Sequence, residues 1–216
     1  MRLAPSTRRE LLWHGLAIAA GSASGAIAAP GVARADSTTT TGATGTTTTG
    51  ESVAQSDAEV LLPVVGTEML GAFVYQQVLD AGVFTPHIQR ATETILNQEQ
   101  AHITKLSAEL VRLGGTPPTP FSKVSDADEV LIAHHFPGGL GPLRNQHDCI
   151  ILLARIEWLL EGAHLKAISK LQTPRLLELS TQVVANEAQH GTVLSELLHP
   201  GDVDKAVPGP FVRGTG

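Results

Sequence analysis

From about residue 57 onward, apolar side chains recur three and four positions apart, the period of helices that each bury one face. Four such stripes follow one another. The first runs from about Asp57 to Gly82 and carries Leu61, Val64, Val65, Ala72, Tyr75 and Leu79 on one face. The second begins near Pro86, a residue suited to a first helical turn, and continues through Ile88, Ala91, Ile95, Leu106, Leu110 and Leu113. Gly114-Gly115 and Pro117-Pro118 end it. The third begins near Pro142 and carries Ile150, Leu153, Ile168 and Leu171. The fourth follows Thr173-Pro174, runs through Leu176, Leu179, Val183, Leu194 and Leu198, and closes at Pro200-Gly201.

The links between the stripes imply a topology. The first and second helices, like the third and fourth, are joined by a few residues, so each pair reads as an antiparallel hairpin. The second and third are separated by about 28 residues, with a short helix expected over Asp126 to His135, and a connection of that length can cross a whole bundle. The expected fold is therefore all-α: a four-helix bundle with a long crossover between helices 2 and 3. A simple bundle with one decorated loop fits the same pattern. Scarce aromatics, at 4%, and abundant Ala and Leu agree with helices over sheets.

Composition changes sharply upstream. Residues 1–35 contain Arg8-Arg9, a mildly apolar Gly/Ala-rich run and Ala33-Arg34-Ala35, an A-x-A cleavage pattern, and read as a signal peptide. Thr7, Arg8, Arg9, Leu11 and Leu12 give it the look of the twin-arginine class, a receptor-read address and not an anchor. A general secretory signal is the plainer alternative. Either route implies export to the periplasm, cell envelope or exterior, with membrane contact only in transit. Residues 36–56 form a Thr/Gly tract too poor in apolar side chains to offset the entropy of ordering, and read as a disordered linker. Residues 57–199 are the expected bundle and 200–216 a tail.

Removing residues 1–35 takes away four Arg and one Glu, so a formal charge of -6 becomes about -9, which disfavours a nucleic-acid partner. The single cysteine, Cys149, lies among Ile150, Ile151 and Leu152 and reads as a buried thiol. Modules that need four cysteines, iron-sulfur clusters or zinc ribbons, are excluded.

Polar residues interrupt the stripes at chosen places. Glu99 and His102 fall in the middle of the second apolar face, and Glu187 and His190 in the middle of the fourth. The first stripe meets Glu68; the third meets Glu157, Glu161 and His164. At 1.5 Å per residue, Glu68 and Glu99 both stand roughly 20 Å from the turn that joins their helices, so they are level. Glu68 to Glu99 spans 31 residues and Glu157 to Glu187 spans 30, so the two hairpins read as an internal repeat. With 13 Glu and 9 His, about half an E-x-x-H pair is expected by chance, yet four occur. Glu196-Leu-Leu-His199 lies off the stripe at a helix end and reads as structural. His134, His135, His147, Asp126 and Asp128 read as loop or helix-start residues.

Four level carboxylates in an apolar core repel one another and need protons or cations, and no Lys or Arg falls on these stripes. A buried network without metal is one solution; two divalent ions with two imidazoles are the other, and they balance the charge. One Glu from each of two helices plus Glu-x-x-His from each of the other two resembles the ligand set of the ferritin-like di-iron carboxylate proteins. The resemblance covers about residues 57–199. It implies a ferritin-like bundle in which Glu68, Glu99 and His102 form one half-site and Glu157, Glu187 and His190 the other, with Glu99 and Glu187 bridging. It implies two Fe ions, with Mn or a mixed pair suiting the same ligands, that react with O2 or peroxide in ferroxidase-like or peroxidase-like chemistry. Tyr75 stands where such proteins place a phenol beside the metals, His164 takes the matching place in the other half, and Glu161 is an additional carboxylate. A non-catalytic envelope or stress-protection scaffold is the alternative function, and assembly into a homo-oligomer is left open.

Overall fold

The computed structural model describes residues 48–207, and the side chains of residues 53–207. The expected leader, most of the linker and the last residues of the tail lie outside them. Six helices are present among the described residues: α1 (Thr48–Asp80), α2 (Pro86–Arg112), α3 (Val124–Ala133), α4 (Gln146–Ile168), α5 (Pro174–Leu198) and α6 (Val203–Ala206). α1 with α2 and α4 with α5 form the two hairpins, α1 packs on α4, and α2 faces α5. This is an all-α four-helix bundle with a long connection between its second and third long helices, and α3 is lodged in that crossover.

Local chemistry sets the element ends. α1 and α2 stop at Gly82 (φ 64°) and Gly114 (φ 86°), left-handed positions that glycine adopts without strain. Gly115 N–H returns to the Leu110 carbonyl at 2.9 Å and closes the end of α2. α2 and α5 each start with proline after a threonine in extended conformation. α4 starts later than Pro142 predicts, because Asn145 caps it: its Oδ1 accepts from Asp148 N–H at 2.9 Å. α1 starts earlier than expected, at Thr48, so Asp57 lies within the helix and has another task. Fully buried, Asp57 accepts from Gln172 N–H at 2.8 Å and Thr173 N–H at 2.9 Å, tying α1 to the α4–α5 turn.

The crossover is braced within itself and tied to the bundle by one arginine. Asp128 Oδ1 accepts from Leu140 N–H at 2.7 Å, and Arg155 of α4 donates to the His135 carbonyl at 2.9 Å while lying over the Phe136 ring. Beyond α5, part of the expected tail forms α6 and buries Ala206. The stretch Val53–Asp80 is long and apolar enough to cross a membrane by composition, with a hydropathy of 1.4. Its apolarity has a use in this fold, since Leu61, Val65, Leu70, Val74 and Val78 are fully buried against neighbouring helices.

The apolar interior forms two clusters. One gathers Leu70, Val74, Ile95, Leu153, Ile156 and Leu194; the other gathers Leu61, Val65, Leu106, Leu110, Ala167 and Leu176. At or beside the boundary between them, α1, α2, α4 and α5 hold Glu68, Glu99, Glu157 and Glu187, all fully buried. A polar layer is thus enclosed between two hydrophobic ones.

Candidate metal centre

Helical spacing turns the polar residues inward, and the hairpin lengths bring them to one height. Glu68 and Glu157 enter from α1 and α4; Glu99 with His102 and Glu187 with His190 enter from α2 and α5. Two groups of four result: Glu68, Glu99, His102 and Glu187, and Glu99, Glu157, Glu187 and His190. Within each group, one donor atom per residue lies within 4.8 Å of all the others. Glu99 and Glu187 belong to both.

The contacts have a common sense. His102 Nδ1 is 2.9 Å from Glu187, 3.5 Å from Glu68 and 3.8 Å from Glu99. His190 Nδ1 is 3.0 Å from Glu99 and 3.3 Å from both Glu157 and Glu187. Both rings therefore present Nδ1 to the carboxylates. Their Nε2 atoms point away, to Asn186 Oδ1 at 3.0 Å from His102 and to Gln98 Oε1 at 2.6 Å from His190. A carbonyl oxygen only accepts, so Nε2 carries a proton in each ring and Nδ1 is the atom free to ligate. Asn186 Nδ2 also donates to Gln98 Oε1 at 3.3 Å, joining the two supports.

Gln98 and Asn186 escape a reading of the stripes, because they sit at the partly exposed flank of their helices and look like solvent-facing polar residues. The available signal is positional: each immediately precedes the Glu of an E-x-x-H pair, and each serves the histidine of the other half. Tyr75 and His164 repeat that exchange. Each lies seven residues after the glutamate of its own helix and bonds that of the other: Tyr75 O–H to Glu157 Oε1, and His164 Nε2 to Glu68 Oε1 at 2.7 Å. Glu161 is nearly buried but belongs to neither donor group. Glu196 and His199 are remote in role, Glu196 accepting from Gly201 N–H at 3.0 Å at the end of α5.

The electrostatics follow from burial without a basic side chain. Among the described residues, no lysine or arginine pairs with any of the four carboxylates. Burial opposes ionisation of Glu68, but His102 and His164 outweigh it and hold its carboxyl down at about 2. Burial would lower His102, but Glu187, Glu68 and Glu99 push it up to about 12. His190 is likewise opposed by burial and raised well above the usual imidazole range by Glu157, Glu187 and Glu99. Burial raises Glu99 and, with the charges of Glu99 and Glu157, raises Glu187 further. Burial and then Glu157 raise both the Tyr75 phenol and Glu161.

Protons alone leave this layer incompletely satisfied. Glu68 Oε2, both oxygens of Glu99, Glu157 Oε2, Glu187 Oε1 and His102 Nδ1 are buried without an aligned hydrogen-bond partner. Native interiors leave few such atoms, and each costs about 1–3 kcal/mol. Here they converge, and they are the donor atoms that two cations would use. Hard oxygens with one imidazole nitrogen per group suit iron, manganese or similar divalent ions.

An all-α bundle whose central layer is four glutamates and two histidines on four helices is, in its class, a carboxylate-histidine bundle whose donors could hold metal ions. The chain belongs to the ferritin-like domain family, whose model matches residues 56–200. A comparison with curated proteins gives no match.

Proposed function

We propose that this ferritin-like protein is exported and carries a di-iron centre that reacts with O2 or peroxide, in the manner of a ferroxidase or peroxidase. The observation that supports this reading is the convergence of unpartnered, buried carboxylate and imidazole atoms into two groups sharing Glu99 and Glu187. Glu68 and His102 would hold one ion and Glu157 and His190 the other, with Glu99 and Glu187 across both. When bound, the irons would supply electrons to O2 or peroxide; manganese or a mixed pair suits the same donors.

The chain's own residues have separable tasks. Gln98 and Asn186 fix the imidazole rings by accepting from Nε2–H. Tyr75 and His164 orient the two terminal carboxylates. The flanking apolar layers keep water out, which strengthens every charge interaction inside. His102 alone of the six ligand candidates reaches solvent, at 12% exposure, so ions and small oxidants would arrive along the α2–α5 side.

Iron content and reactivity test the reading together. The purified full chain, supplied with Fe2+ under argon and then exposed to O2 or peroxide, is expected to bind about two irons and consume the oxidant. A purified protein that stays folded without metal would select a second reading, a non-catalytic scaffold, which the ion-pair contacts of His102 and His190 favour by offering the layer protons in place of metal. No bound iron, manganese or zinc would end the metal reading. Export is tested separately: Arg8→Lys/Arg9→Lys is expected to trap uncleaved precursor inside the cell, and unchanged export would remove the twin-arginine route.

A further inference from the structure

A groove of about 410 Å3 lies between α1 and α4. Two sequence features open it. Pro63 stands inside α1 and offers no N–H to the carbonyl of Glu59, while α4 presents Gly162, Ala163 and Ala167 in place of bulky side chains. The contacts of Glu68 with His164 and of Tyr75 with Glu157 set α1 and α4 antiparallel. That register places Glu59 near the height of Lys170, Pro63 near Lys166, and Thr67 near Ala163. The groove is therefore charged at one end by Glu59, Lys166 and Lys170 and lined by Val64, Thr67, Leu159, Gly162 and Ala163 toward the other, with His134 from the end of α3 also in its wall.

The charged end is not paired within itself. Lys166 and Lys170 are four residues apart on one helix face, where like charges repel, and among the described residues neither enters an ion pair. Glu59, the carboxylate in the lining, accepts from Gln55 Nε2 at 3.4 Å instead. These are two of only five lysines in a chain of net charge -6, and both line the same groove.

We infer that this groove binds a free amphipathic anion, a single alkyl chain ending in a carboxylate. The ammonium groups of Lys166 and Lys170 receive the head, and Val64, Leu159 and Ala163 receive the chain. The volume falls in the range of small-molecule sites, roughly 300–1,000 Å3. The inference is independent of the metal reading, since no donor of the central layer lines the groove.

Dodecanoate is the probe, titrated calorimetrically into the full chain below its micelle concentration, with dodecanol as the neutral control. Saturable binding of dodecanoate is expected, weakened about tenfold or more in Lys166→Ala/Lys170→Ala, with dodecanol binding weak and equal in both proteins. Ala163→Leu, which keeps both charges but narrows the apolar end, is expected to lose binding too, with helical circular dichroism reporting that each variant is folded. Absence of saturable binding, or binding unchanged in the folded lysine variant, would overturn the inference. So would co-sedimentation with anionic phospholipid vesicles in the absence of dodecanoate binding, which would make the lysines a membrane contact.

Discussion

In the first half of the bundle the residue seven positions after the terminal glutamate is Tyr75; in the second it is His164. Both side chains cross to the opposite half and donate to its glutamate, Tyr75 to Glu157 and His164 to Glu68. The halves also differ in access, His102 being 12% exposed and His190 fully buried. The lesson is that the two hairpins preserve what a ligand atom needs, a carboxylate oxygen or an imidazole nitrogen at one height, and vary what holds it. A phenol donates without charge. An imidazole can donate with or without it, and Glu68 beside His164 and His102 is held ionised down to about 2.

The comparison is broken most severely through the terminal glutamates. Glu68→Ala and Glu157→Ala should each remove one ion of a pair, leaving the other bound; elemental analysis that finds both ions lost, or both kept, would deny two half-sites. The supports come next. Asn186→Leu leaves His102 Nε2–H without its acceptor, and Gln98→Leu does the same to His190. Each should weaken metal binding by about 10–100-fold in a chelator competition, with Gln98→Leu the larger because its oxygen also holds Asn186. Smaller again, Tyr75→Phe removes one donor to Glu157 and should cost about 0.5–1.5 kcal/mol of affinity or stability, read by chelator competition and chemical denaturation.

The pH dependence should be smaller still, but its sign is informative. In the metal-free chain Glu99, Glu187, His102 and His190 all have raised pKa values, so the folded state holds more protons than the unfolded one above the ordinary carboxylate range. Metal-free stability should therefore decline as pH rises from about 5 to 9. Glu68 acts the other way only at low pH, its contribution being present above 4.5 and lost as pH falls through about 2. Metal displaces those protons, so its affinity should rise over the same 5-to-9 interval, with protons released on binding. Thermal melts with and without metal check this; parallel curves would mean that the cluster does not exchange protons for ions.

Much of this was legible in the chain because burial writes itself as period. Leu61, Val64, Val65, Ile88, Ile95, Leu106, Leu110, Leu153, Leu176 and Leu194 fall on the expected faces and are buried. Glu68, Glu99, Glu157 and Glu187 stood out because a carboxylate in an apolar stripe is costly unless it has a use. The ends of elements were less legible. The helical start at Thr48 lies in a Thr/Gly tract with low intrinsic helix propensity, and Asn145 outweighed Pro142 through a cap that periodicity does not record. Gln98 and Asn186 were invisible for a different reason: their role depends on which residues of α2 and α5 meet, and register between helices is a tertiary property. Asp57 shows the same, marking only the expected start of the first stripe until the α4–α5 turn supplies the two amides it binds.

The shared carboxylates Glu99 and Glu187 carry the central claim. The most direct measurement is metal per chain in the iron-loaded full protein and in Glu99→Ala/Glu187→Ala, with circular dichroism and the thermal midpoint of the metal-free forms recorded alongside. The account predicts about two ions per chain in the parent and none in the variant, with helix content kept. Two ions retained by the variant, or none in the parent under iron, manganese or zinc, would contradict it.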